Sequence, residues 1–376
     1  MLTDALVLSE PGARFKYRKV SLLDTLESNE CRVRIKASGI CHTDINFASK
    51  ERGTPENFPC ILGHEGAGTV TKVGSAVNDI AINDNVIVTF SSCGECKYCN
   101  TGHPSYCDLW FKYNFGFSRL DGSQTVADPK TEQPIKGHFF GQSSFARDII
   151  VTSAALVVVP SPAPSFHLLA PLGCGVMTGA GTMLNILQPT SSDSVCILGT
   201  GAVGLSAIMA CRTLPQPPRR IIAVDTVPAR LELARKYGAT HGVNSTRGAD
   251  LMATLMDITR GAGVDASVDT TAVPSLVEQV IHATARRGKI VAVGVGALAN
   301  QVPISTFEAV QAGFTYQGSN QGDSEPRTFL PWLLERNKEG RFPYHELVQT
   351  YPVKEVARAV SDVKEGKVVK AVLLWD

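Results

Sequence analysis

The sequence predicts an α/β chain in two parts, a β-rich, barrel-like part followed by a doubly wound parallel sheet. Three observations predict it. Short alternating or glycine-bounded strand segments crowd the first ~90 residues. From Val195 to Val293 strand and helix signals alternate, as they do around a parallel sheet. A Gly-x-Gly-x-x-Gly turn joins the first strand of that alternation to its helix. The length of 376 residues fits two domains of ~100–200 residues each. Apolar residues at 44% and charged residues at 19% exclude a disordered chain. A net charge of +1 gives no electrostatic pull towards nucleic acid or an anionic membrane, so neither is an expected partner.

The elements follow in chain order. Cys31–Ala37 alternates apolar and polar residues at period two, the mark of a half-buried strand. Gly66–Gly74 is a glycine-bounded strand, and Asp84–Phe90 is a turn running into another. From Trp110 to Gln142 the pattern dissolves among Gly116, Gly122, Pro129, Pro134 and Gly137. So long a loop in a compact domain is usually functional, here as a pocket wall or a subunit contact. After the Pro160–Pro164 run, Phe166–Leu187 reads as helix. Strands are then expected at Val195–Leu198, Ile221–Val224, Ala266–Asp269 and Ile290–Val293. Helices are expected at Val203–Thr213, Pro228–Tyr237, Asp250–Thr259 and Val273–Ala285. The alternation ends near Gln317, and the tail closes with a helix over Val353–Lys364 and a strand over Lys370–Trp375. The boundaries are 1–166 for the first part of the β-rich domain, 167–316 for the parallel-sheet domain and 317–376 for a C-terminal return to the first. Met1-Leu2-Thr3-Asp4 carries neither a basic region nor an apolar one, so the cytoplasm is the expected location.

In Gly199-Thr200-Gly201-Ala202-Val203-Gly204 the first glycine permits the tight turn and the second lets the backbone approach a pyrophosphate. The third lets helix and strand pack closely. The phosphates sit at the helix N-terminus, where free N–H groups favour an anion. Asp225 ends the next strand, at the ~20-residue distance from which an acid reaches the adenosine ribose diol. It would repel a 2′-phosphate, and Thr226 rather than an arginine follows, so NAD is expected over NADP. Arg230, one helical turn on, is a candidate second ribose contact. The alternative for Asp225 is a helix N-cap.

Four of the ten cysteines, Cys93, Cys96, Cys99 and Cys107, share one polar loop. In a reducing compartment such a cluster is a metal signature rather than a disulfide framework. Four thiolates close a tetrahedron around Zn²⁺ and leave no open position, so this metal is expected to be structural, with iron–sulfur ligation as the alternative. Three further segments stand out: Gly39-Ile40-Cys41-His42-Thr43-Asp44, Gly63-His64-Glu65-Gly66-Ala67-Gly68 and Pro171-Leu172-Gly173-Cys174-Gly175.

Taken with the quartet and the later glycine turn, these segments resemble the zinc-dependent medium-chain alcohol dehydrogenases nearly end to end. With Phe139-Phe140-Gly141-Gln142-Ser143-Ser144-Phe145-Ala146, the chain looks most like the aryl (benzyl) alcohol dehydrogenase branch. The resemblance implies a GroES-like β-rich catalytic domain and a Rossmann domain. It implies two zinc ions per chain, one structural on the quartet and one catalytic on Cys41, His64 and Cys174, with the fourth position open. Asp44 would fix the His64 tautomer, Glu65 would act as a transient ligand, and Thr43 would begin a proton relay. His42 would meet the pyrophosphate, Val293 would line the cofactor site, and Lys370 would contact a phosphate. Where many family members place a relay histidine, this chain has Asn46, which cannot titrate.

The expected activity is NAD-dependent, reversible oxidation of a primary aromatic or allylic alcohol by a homodimer or homotetramer. A specialised biosynthetic enzyme acting on one elaborate metabolite is an alternative, with its specificity in Trp110–Gln142. An inactive zinc-stabilised scaffold is a third reading, against which the intact Cys41, His64 and Cys174 argue.

Overall fold

The computed structural model describes residues 1–246, 250–297 and 299–375. Asp376, the last residue of the expected C-terminal return, lies outside them. The chain divides into two compact units, Met1–Cys174 with Glu325–Pro331 and His345–Asp376, and Gly175–Ser324 with Trp332–Tyr344.

The first unit is built on two sheets. One has the spatial order Cys60–Ile61, Leu2–Leu8, Lys16–Leu22, Val126–Ala127, Pro134–Ile135. The other runs Leu156–Val158, Asn85–Val88, Gly66–Val73, Glu30–Gly39, Lys370–Leu374, Val348–Pro352, with Asp148–Thr152 also paired to Glu30–Gly39. The period-two pattern of Cys31–Ala37 is the alternation that buries Cys31, Val33, Ile35 and Ala37 in the core. The C-terminal strand Lys370–Leu374 lies antiparallel on Glu30–Gly39, through Val372 on Gly39, Leu373 on Ser38 and Leu374 on Ala37. That register carries Lys370 to the end of the strand from which Cys41 emerges.

The expected helix Phe166–Leu187 is broken. Phe166–Leu169 is α-helical, Ala170–Gly173 is a 3-10 turn, and the helix resumes at Gly175–Gly181 before a π-helical Thr182–Leu187. Cys174 has φ −146° and ψ −90°, outside the helical region. Pro171 is the second residue of the 3-10 turn, and Gly173 approaches the Val88 carbonyl too closely for any side chain. The helical periodicity was visible in sequence, but the kink comes from tertiary packing. Phe166–Leu169 packs on the strands Glu30–Gly39 and Gly66–Val73. It therefore belongs with the first unit, which runs on to Cys174 rather than ending at residue 166.

The second unit is a parallel sheet in the order His241–Asn244, Arg220–Asp225, Ser194–Leu198, Val264–Asp269, Thr284–Ala292, Thr315–Gly318. The order reverses between the strands Ser194–Leu198 and Val264–Asp269, which is where such sheets bind ligands. Cys196, Leu198, Ile222, Val224, Val277, Val280 and Ile290 form its core. Two of its strands, His241–Asn244 and Thr315–Gly318, were not expected. Each is 4 residues long, and neither is an apolar run. No single helix among the described residues is long and apolar enough to cross a membrane.

Candidate active site

Glu30–Gly39 ends in a turn at Ile40–Cys41, and the helix His42–Phe47 begins there. Asp44, buried on that helix, organises the turn. Its Oδ2 accepts the Cys41 N–H at 3.0 Å, and its Oδ1 accepts the Gly63 N–H at 3.0 Å. Oδ1 also lies 3.0 Å from Nδ1 of His64. One carboxylate thus fixes the Cys41 loop, the Gly63 turn and the His64 ring. It makes Nδ1 the protonated nitrogen and leaves the Nε2 lone pair as the donor. His64 Nε2 is buried without a hydrogen-bond partner. A buried polar atom left so is costly unless a ligand takes it up.

The sulfurs of Cys41 and Cys174, a ring nitrogen of His64 and a carboxylate oxygen of Glu65 all lie within 4.8 Å of one another. Hydrogen bonding from Cys174, reinforced by His64, holds the Cys41 thiol well below the usual range. The same pairing, with burial, pushes Cys174 well above it. Burial works against a charge on His64, but Asp44 and Cys41 outweigh it and raise the imidazole. Two sulfurs competing for one negative charge beside an orphaned imidazole nitrogen are relieved by a divalent cation, and two S and one N suit zinc.

Glu65 is fully buried, and burial raises its carboxyl against the opposing pull of Lys370. Lys370 Nζ stands 2.8 Å from each Glu65 oxygen and donates to the Ile40 carbonyl at 3.3 Å. Burial would lower this ammonium, but the Glu65 charge raises it. The three donors of Lys370 thus have acceptors within the chain. Where the resemblance implies a phosphate contact, the geometry supplies a carboxylate partner instead.

Cys93, Cys96, Cys99 and Cys107 also bring their sulfurs within 4.8 Å of one another, and all are free thiols. Backbone N–H groups point at the sulfurs: Cys96 N to Cys93 Sγ at 3.3 Å, Cys93 N to Cys107 Sγ at 3.3 Å and Leu109 N to Cys107 Sγ at 3.4 Å. Backbone donors lower the Cys96 thiol to about 6, while burial lifts Cys107 to about 12. Such convergence of N–H dipoles on sulfur suits four metal-bound thiolates.

Residues 27–161 match the alcohol dehydrogenase GroES-like domain, and residues 202–335 match the zinc-binding dehydrogenase domain. The geraniol dehydrogenase of Castellaniella defragrans is 34% identical over 93% of this chain and 91% of its own length. The chain belongs to the zinc-dependent medium-chain alcohol dehydrogenases. An alcohol dehydrogenase zinc-binding domain protein from Burkholderia ambifaria has a TM-score of 0.94 at 38% identity, covering 100% of this chain and 99% of its own. A benzyl alcohol dehydrogenase from Acinetobacter calcoaceticus has a TM-score of 0.93 at 34% identity, with 100% of both chains covered. The protein is therefore an oxidoreductase acting on small-molecule alcohols with zinc as a cofactor.

The dehydrogenase's glycine turn has the geometry its sequence requires. Gly199 has φ +83°, and a Cβ on Gly204 would overlap the Gly199 carbonyl. Gly201 is the N-cap of the helix Ala202–Thr213, and no side chain caps that end. Ala202 and Val203 form its first turn. A Cβ on Gly201 would meet only Arg230 Nη1, at 4.0 Å, so the guanidinium stands beside the turn. Asp225, only 9% exposed, accepts the Thr200 N–H and hydroxyl on Oδ2, both at 2.7 Å, and the Val227 N–H on Oδ1 at 2.9 Å. It is not the N-cap of the following helix, which is Val227. Val293 follows the strand Thr284–Ala292 and donates its N–H to Asp269 at 2.8 Å. Thr43 Oγ1 lies 3.7 Å from Cys41 Sγ, and His42, on the same helix, is exposed.

The sequence offers Phe90, Trp110, Phe111 and Phe140 for a flat apolar pocket, but not the placement of that wall on His64 or the part that Phe47, Phe115 and Phe139 take in it. Phe140 stacks on the imidazole at 4.4 Å between centroids, and Phe139 meets it edge-on at 5.6 Å. Phe115 touches Phe140 at 5.0 Å and Phe47 at 5.4 Å, and Trp110 lies 6.5 Å from Phe140 and 4.8 Å from Phe90. Phe111, a candidate for the same wall, is instead 72% exposed. Gln142 also went unassigned. Its Nε2 donates to the His64 and Thr89 carbonyls at 3.1 and 2.9 Å, tying the Trp110–Gln142 segment to the ligand loop.

Proposed function

We propose that this alcohol dehydrogenase reversibly oxidises a primary aromatic or allylic alcohol with NAD. The aromatic wall of Phe47, Trp110, Phe115, Phe139 and Phe140 beside His64 carries the substrate reading. Flat π-rich faces recognise a planar aryl or allyl group by stacking and apolar burial. Relatives named for geraniol and benzyl alcohol, an allylic and an aromatic alcohol, support the same choice.

Cys41, His64 and Cys174 would hold the catalytic zinc, and the Cys93–Cys107 quartet the structural one. A catalytic zinc supplies Lewis acidity that makes an alcohol easier to deprotonate. Oxidation removes a proton from the hydroxyl and a hydride from the carbinol carbon, and a bound nicotinamide would supply the hydride acceptor. The chain's own groups do the rest. Thr43 receives the hydroxyl proton while passing its own onward, which Asn46 cannot do. Asp44 keeps the His64 donor nitrogen facing the cluster. Glu65, held by Lys370, places a carboxylate beside the cluster without exposing it to water. His42 and the first-turn N–H groups of Ala202 and Val203 serve the pyrophosphate. Asp225 and Arg230 serve the adenosine ribose. Val293, at the end of its strand, lines the cofactor site. The enzyme is a homo-oligomer, dimer or tetramer. Exposed Phe307, Val310 and Val295 favour association. So does the edge strand Thr315–Gly318, which pairs only with Thr284–Ala292 among the described residues.

A panel of benzyl, cinnamyl, geranyl and short saturated alcohols, each assayed with NAD and with NADP, tests the proposal. It predicts higher kcat/KM for planar unsaturated alcohols and for NAD. Faster turnover of ethanol or propanol, or a preference for NADP, would refute it.

A further inference from the structure

We propose that Thr200 is a cofactor-positioning residue: its hydroxyl locks the Asp225 carboxylate to the glycine turn, so that Asp225 meets the ribose diol pre-oriented and Arg230 stays free. This rests on the reading of Asp225 as the ribose contact of an NAD site.

Thr200 occupies the first variable position of the glycine turn, where the sequence motif demands nothing. It is nonetheless fully buried, and both its N–H and its hydroxyl converge at 2.7 Å on the same oxygen, Asp225 Oδ2. The Val227 N–H takes one site on Oδ1. A carboxylate offers about four acceptor sites. Three are used, and the one left is on Oδ1, the oxygen that Thr200 does not bind. The carboxylate therefore cannot rotate without losing charge-assisted bonds, and it offers a ligand a single defined acceptor. The turn is braced from the opposite side as well. Thr270 Oγ1 donates to the Leu198 carbonyl at 2.8 Å and lies 3.3 Å from the Gly199 carbonyl.

Arg230 gives the lock a second consequence. Its guanidinium stands beside Gly201, and its Nε is buried without a hydrogen-bond partner. A carboxylate and a guanidinium flanking one turn would ordinarily pair. With Oδ2 saturated by Thr200, Asp225 is kept for the diol and Arg230 for the ligand. A free ligand then meets two charged groups already in place and does not have to break an ion pair to bind.

The experiment uses the zinc-replete enzyme and the variants Thr200→Val, Thr200→Ala, Thr200→Ser and Asp225→Ser, each with its melting temperature recorded. NADH affinity is read by fluorescence titration, and KM and kcat are read for NAD and NADP. Losing one charge-assisted bond to the lock should weaken NADH binding and raise the NAD KM by roughly 5- to 20-fold in Thr200→Val and Thr200→Ala. The effect falls on KM and not on kcat, and the NAD:NADP preference narrows. Thr200→Ser retains the hydroxyl and should stay within about twofold of wild type. The alanine variant guards against misfolding from the valine branch. Folded Thr200→Val and Thr200→Ala with wild-type NADH affinity and cofactor ratio, beside an Asp225→Ser that loses NAD preference, would overturn the proposal alone. An Asp225→Ser variant with an unchanged ratio would overturn the ribose reading beneath it.

Discussion

Replacing Lys370 with methionine removes the ammonium that stands 2.8 Å from Glu65 and leaves a carboxylate with no exposure inside the catalytic unit. The pair buries both groups almost completely, at 3% and 0% side-chain exposure, so solvent does not screen the loss. Removing one half of a buried ion pair costs about 3–5 kcal/mol, because the remaining buried charge loses that compensation. If the catalytic unit melts cooperatively, that corresponds to a fall of roughly 6–20 °C in melting temperature. The pH dependence follows from Glu65. Its carboxyl is already raised by burial, and removing Lys370 raises it further. A raised carboxyl is protonated earlier in the folded state than in the unfolded one. The penalty is therefore fully present above the folded pKa, and it vanishes as pH falls below the unfolded value near ~4.3. Calorimetry of zinc-replete wild type and Lys370→Met between pH 5 and 8 should show a gap that widens as pH rises. Adding Glu65→Gln to Lys370→Met removes the orphaned charge and should recover most of the loss. A constant gap across that range, or a double variant no better than Lys370→Met, would refute the reasoning.

Other predictions follow from the same geometry. Thr43→Ala should lower alcohol oxidation by roughly 10²–10⁴-fold, the usual worth of a positioned proton transfer, and Thr43→Ser should keep most of it. Stopped-flow hydride transfer checks both, and near wild-type transfer in Thr43→Ala would remove Thr43 from the relay. Phe140→Leu, which loses the ring stacked on His64, should reduce kcat/KM for benzyl alcohol relative to butanol by about 3- to 10-fold. Equal losses for the two substrates would assign the ring a structural role only. Cys107→Ser should lose one zinc ion and lower the melting temperature while the second zinc stays bound, as metal analysis and calorimetry would report. Loss of both ions would show that the two sites are not separable.

Much of the site could be read directly in the sequence, because its chemistry depends on residue type and spacing. The cysteine quartet and the glycine turn are local, and each falls within one loop. Cys41, His64 and Cys174 were legible only through resemblance, since three strands and a broken helix bring them together. The kink at Cys174 was hidden because the residues around it carry ordinary helical periodicity, and the close approach of Gly173 to Val88 is a tertiary fact. The partner of Lys370 was hidden for the same reason. Lys370 lies on a strand from the other end of the chain, aligned on Glu30–Gly39 by a register that no local signal fixes. The short strands His241–Asn244 and Thr315–Gly318 have too few apolar residues to declare themselves. The aromatic wall sits in the segment where periodicity fails, and Phe140 adopts φ +52°, a conformation that residue type does not announce.

The measurement that bears most directly on the account is the zinc content of purified Cys174→Ser beside wild type, taken with activity and far-UV circular dichroism on the same samples. The account predicts about two zinc ions per wild-type chain. Cys174→Ser should hold about one, stay folded, and lose turnover with both NAD and NADP, since in the proposed site Cys174 would supply one of three zinc ligands. A folded Cys174→Ser that keeps two zinc ions and wild-type turnover would contradict it.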